Sequence, residues 1–143
     1  MRILASADED KLRTTARNAA ITPLRLLIVD DYDPSTFAMT IALRRRGYVC
    51  QRATSPAEAL DATREFRPDI ALVEWALGRG TGVGLARKLR ALAETSGHVL
   101  VVVAVSTQDE PPDFSEREDV DGYFVKPVEM AAFTAELVRL ARR

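Results

Sequence analysis

Apolar and polar positions fall into blocks along this chain, and the blocks repeat in a fixed order. Leu24-Arg25-Leu26-Leu27-Ile28-Val29 is a short apolar run that ends on acids, the pattern of a buried strand. Pro34 then suits a first helical position with Asp33 as its N-cap, and Phe37, Ala38, Ile41 and Ala42 form the inner stripe of a helix. Arg44-Arg45-Arg46 before Gly47 closes that helix. Tyr48 to Arg52 reads as a second strand. Ser55-Pro56-Ala57-Glu58 combines an N-cap, a first-turn proline and a capping-box acid, opening a helix that runs through Leu60, Thr63 and Phe66. Ile70 to Val73 is a third strand, and Leu85, Ala86, Leu89, Leu92 and Ala93 line a third helix that ends near Gly97. Val99 to Val105 is the most β-branched run and suits a central strand. Gly122 to Val125 makes a fifth strand, and Phe133, Leu137, Leu140 and Ala141 mark the inner face of a last helix. Strands and helices alternating with short connections predict an α/β fold, a doubly wound five-stranded parallel sheet between two helical layers.

Two segments depart from this rhythm. Residues 1–23 form an N-terminal extension, with capping-box spacing at Ser6-Ala7-Asp8-Glu9 and a thin stripe of Leu12, Ala16, Ala19 and Ala20. A short helix or a disordered tail is expected there, ahead of one domain over 24–143. Between the fourth and fifth strands, Asp109, Glu110, Asp113, Glu116, Glu118, Asp119 and Asp121 face one base, Arg117. Pro111-Pro112 delays the fourth helix, which is expected to be short or displaced. The acidity reads either as a solvated loop or as a surface for a basic partner.

Composition narrows the function classes. A net charge of -1 gives no reason to expect nucleic acid or an anionic membrane as a direct partner. One cysteine, Cys50, and one histidine, His98, exclude an internal disulfide and a Cys/His zinc site within this chain. No apolar run reaches the roughly 20 residues that cross a bilayer, and early acids argue against a signal peptide. A cytoplasmic protein is the expectation. No nucleophile–base pair stands out, so an enzyme is not expected. Trp75 reads as a half-exposed packing residue and His98 as a solvent-facing cap.

The chemistry gathers at one sheet edge. A parallel sheet brings the carboxyl ends of its first, third, fourth and fifth strands together, and with them Asp30, Asp31, Glu74, Ser106 and Lys126. Clustered carboxylates repel and call for a cation. Carboxylate and carbonyl oxygens suit Mg²⁺, and a lysine beside them neutralises charge as a point cation. The loop Gly78-Arg79-Gly80-Thr81-Gly82-Val83-Gly84 looks like a phosphate cradle but lacks the third glycine of the dinucleotide fingerprint and the Gly-Lys of the P-loop.

These residues resemble the receiver domain of two-component response regulators, over about residues 24–142. The likeness rests on Asp30-Asp31 after strand one, the acid after strand three, Ser106 ending strand four, Lys126-Pro127 after strand five, and Tyr123 three residues before that lysine. It implies a CheY-like, flavodoxin-like (βα)5 fold and a part in phosphorelay signalling. It implies that Asp30, Asp31, the position of Glu74 and the backbone of Ala76 hold Mg²⁺. It further implies that Ser106 with Thr107 meets a phosphoryl group, that Tyr123 turns inward in response, and that Lys126 precedes a cis Pro127. Output would run through protein contact on the face of the fourth helix, fifth strand and fifth helix, to a sensor kinase or a downstream effector. A homodimer is also open to it, and the output is expected to pass to a separate protein.

The acceptor position holds Glu74 where the family has aspartate, Gly78 stands where a proline is usual, and Thr81 replaces a common acid. One extra methylene spoils in-line attack, so a receiver that does not take phosphate is expected. Glu74 either pairs with Lys126 and partly imitates the phosphorylated state, or makes a buried ion pair that freezes the switch. Alternatives are an ordinary phospho-accepting, Mg²⁺-dependent receiver and a nucleotide-binding flavodoxin-like protein.

Overall fold

The structure is a computed structural model that describes residues 23–31, 33–75, 82–106 and 120–142. Five strands, β1 (Arg25–Val29), β2 (Val49–Ala53), β3 (Ile70–Glu74), β4 (Val101–Ser106) and β5 (Gly122–Val125), form one parallel sheet in the order β2-β1-β3-β4-β5. The described helices are α1 (Asp33–Arg45), α2 (Pro56–Glu65), α3 (Gly82–Thr95) and α4 (Met130–Ala141). The expected N-terminal extension and fourth helix lie outside the described residues, and α4 is the helix expected fifth.

Side-chain alternation along the strands divides the core into two layers. Leu27, Val29, Ala71, Val73 and Val102 point to α2 and α3, where they meet Ala59, Leu85 and Leu89. Leu26, Ile28, Leu72 and Val103 point the other way, toward Leu43 of α1 and Phe133, Leu137 and Leu140 of α4. β1, β3 and β4 are buried on both faces, which is why they read as unbroken apolar runs. Phe133 is 1% exposed, and its ring meets Phe124 edge-on with centroids 4.7 Å apart. Phe133→Ala is expected to cost about 3–5 kcal/mol, read as a lower urea midpoint at an unchanged slope.

Local signals act where the pattern placed them. Ser55 accepts the Glu58 amide at 3.1 Å, and Glu58 reaches back to the Thr54 amide at 2.9 Å, so the box closes one residue before the cap. Gly47 and Gly97 take φ of +96° and +77° after α1 and α3, a region that favours glycine. At the amino-terminal end of the sheet, Asp69 accepts the Arg25 amide at 2.8 Å and so pins β1 to the approach of β3.

Four readings need correction. The inner face of α1 is Thr36, Met39, Thr40 and Leu43, while Phe37 is 56% exposed and lies under the Arg52 guanidinium. Thr36 and Thr40 are buried because their hydroxyls donate to the carbonyls of Asp30 and Thr36, at 3.1 and 2.6 Å. Trp75 is 6% exposed, because it packs edge-on against Tyr123. Val99 is 85% exposed and precedes β4, since the chain there is still closing α3 through the His98 amide on the Ala93 carbonyl. Asp121, expected in an acidic loop, is a structural brace that accepts from Arg90 and from the Val102 amide.

Candidate functional site: an acidic edge closed by a lysine

The strand order reverses between β1 and β3, and in doubly wound sheets the crevice opens at that point, beyond the carboxyl ends of the strands. Asp30 follows β1 and Glu74 ends β3, on the two sides of the switch. Register brings in the rest: Glu74 pairs with Val105, and Ser106 pairs with Val125. Lys126 follows directly, its amide donating to the Ser106 carbonyl at 2.7 Å. The Lys126–Pro127 peptide bond is cis, and Pro127 is exposed.

The Lys126 ammonium is the centre of the arrangement. Its Nζ donates to Asp30 Oδ2 at 3.0 Å and stands 3.0 Å from Glu74 Oε2. The second contact is an ion pair whose direction does not meet hydrogen-bond geometry. All three side chains are largely withdrawn from water, at 17%, 6% and 11% exposure for Lys126, Asp30 and Glu74. Burial pulls the Lys126 pKa down, but the Glu74 and Asp30 carboxylates beside the ammonium outweigh it and leave the pKa raised. A small cavity of about 10 Å³ lies among Asp30, Thr36, Met39, Glu74 and Lys126 and the apolar Ile28, Leu72 and Val105. Asp31 is exposed, and among the described residues no three acidic, histidine or cysteine side chains converge as a metal site.

Ser106 is fully buried at the end of β4. The Tyr123 hydroxyl is buried and closes no hydrogen bond, and its ring stands edge-on to Trp75 with centroids 6.4 Å apart. The structure therefore brings Asp30, Glu74, Ser106 and Lys126 to one edge, with Tyr123 beside them on β5. Thr107, Ala76 and the glycine-rich loop to Thr81 lie outside the described residues.

A groove beside the site has no counterpart in the sequence reading. Ala38, Met39 and Ala42 of α1 and Lys126, Pro127, Val128 and Met130 border an open, mostly apolar space of about 470 Å³. Its signal was the small residues of α1, which looked like an inner face and instead flank this groove.

At the opposite end of the sheet, both His98 ring nitrogens are buried without a hydrogen bond. Burial, then the Arg67 charge, hold its pKa below the ordinary 6.5, against a contrary pull from Pro68 and Asp69. The folded state then binds fewer protons than the unfolded one, so stability rises with pH through the window just below 6.5. His98→Gln is expected to flatten the dependence of Tm on pH in that window, and NMR titration should place the wild-type midpoint below 6.5.

A family model described as the response regulator receiver domain matches residues 26–138. The chain is 27% identical over 105 residues to protein PilH of Pseudomonas aeruginosa, a match covering 73% of this chain and 87% of that one. It is 33% identical over 120 residues to the DNA-binding response regulator MtrA of Mycolicibacterium smegmatis, covering 83% of this chain and 51% of that one. It thus spans about half the length of MtrA. Among solved structures, a CheY-like response regulator receiver domain from Methylobacillus flagellatus superposes with a TM-score of 0.74 at 25% identity, over 82% of this chain and 98% of that one.

Proposed function

The chain belongs to the response regulator receiver domains, and from that premise we propose that it is a receiver held in one signalling state without taking up a phosphoryl group. It serves two-component signalling as a module rather than as an enzyme. The observation that carries the reading is the Lys126 ammonium, 3.0 Å from both Asp30 and Glu74. A phosphorylated aspartate would bring about -1.5 to -2 charge to this edge, and Glu74 brings one permanent charge on a longer arm. Tyr123, already turned in with its hydroxyl buried, supports imitation of the phosphorylated state over a merely frozen pair.

Output passes by protein contact, with a sensor kinase or a downstream effector as partner. The apolar groove between α1 and the start of α4 offers such a contact in addition to the face formed by β5, α4 and the helix expected before them. No described helix is long and apolar enough to cross a membrane. Incubation with acetyl phosphate or phosphoramidate tests the proposal: no stable label is expected on the wild-type chain. A label that survives Asp30→Asn but is lost in Glu74→Gln would overturn it.

A further inference from the structure

Receiver domains typically use a Mg²⁺ ion at this edge, and the acids here do not fit one. Mg²⁺ requires near-octahedral oxygen ligands at about 2.0–2.1 Å and keeps several of its waters. Asp30 and Glu74 both turn toward one ammonium, Asp31 is exposed, and among the described residues no three acidic, histidine or cysteine side chains converge. A divalent ion between Asp30 and Glu74 would have to compete with Lys126 for the same two carboxylates.

We propose that the Lys126 ammonium is the resident cation of this site and closes it to Mg²⁺. The cause is the length of Glu74. An aspartate would end one methylene earlier, whereas glutamate carries its carboxylate to the lysine while Asp30 holds that lysine from the other side. Lys126 is tethered through its own backbone, its amide bonded to Ser106, so its ammonium reaches the carboxylates without the entropy loss of capturing a free ion. The charge logic of the family is kept, and the cation has become part of the chain. The switch region would then keep its state whatever the surrounding Mg²⁺ concentration.

The inference rests on the held-state reading, and its test uses no phosphate donor. Trp75, the only tryptophan in the chain, follows Glu74 and reports on the edge. MgCl₂ is titrated to about 20 mM at constant ionic strength, with Trp75 fluorescence, calorimetry and Tm as readouts. The wild-type chain is expected to show no saturable change. Lys126→Gln, which vacates the cation position, is expected to gain saturable binding and a Tm that rises by several degrees with Mg²⁺. Saturable binding by the wild type that is lost in Asp30→Asn overturns the inference, and so does a folded Lys126→Gln that ignores Mg²⁺. If Lys126→Gln does not fold with or without the ion, the wild-type titration decides alone. A wild type that binds Mg²⁺ yet takes no phosphate removes only this inference, while one that takes phosphate removes the held-state reading.

Discussion

Glu74→Asp is expected to take phosphate from phosphoramidate at least about 100-fold faster than the wild-type chain. The reaction needs a carboxylate oxygen in line with the phosphorus and the departing ammonia, and a misplacement of about 1 Å is enough to cost that factor. In the wild type the Glu74 carboxylate lies against Lys126, on an arm too long for the position. Shortening the arm withdraws it from the lysine and returns it to the depth at which family members present their acceptor. Radiolabel incorporation or a mass increase of one phosphoryl group, followed over time for both proteins, checks the result. Equal and slow incorporation in both would mean that something other than length disables the site.

The second large effect is on stability. Lys126→Met is expected to lower the unfolding free energy by about 3–5 kcal/mol at neutral pH, because it leaves two withdrawn carboxylates within a few ångströms of each other without their shared cation. Urea denaturation measures it directly. The Asp30 and Glu74 side chains are 6% and 11% exposed, so water cannot screen them as it would on the surface. Lys126→Met combined with Glu74→Gln should recover a large part of the loss, since one of the two charges is then gone. A loss below about 1 kcal/mol in the single variant would place the pair among weak, solvent-screened bridges.

The strands were legible because burial on both faces leaves little choice of residue, as in Leu26 to Val29 and in Val101 to Val105. The face of α1 was not. Thr36 and Thr40 look polar in a sequence, yet their hydroxyls are satisfied by nearby carbonyls and they go inside, turning Phe37 outward. The burial of Trp75 depends on Tyr123, a neighbour 48 positions along that no local pattern reveals. For the site, the members could be named from topology, since parallel strands must gather their carboxyl ends. That one ammonium touches two carboxylates could not, because it depends on the register of β3, β4 and β5 and on how far a glutamate reaches.

The contact between Asp30 and Lys126 spans 96 positions of the chain. β1 and β3 are neighbours in the sheet, but β5 lies at its far edge, so the ammonium arrives only after β4 has paired on both sides. Until then Asp30 and Glu74 share the crevice without it. Closing so long a loop belongs to the slow, late part of assembly. The lysine is therefore expected to act as a latch on an almost finished structure, contributing little to how fast the chain folds and more to how slowly it comes apart.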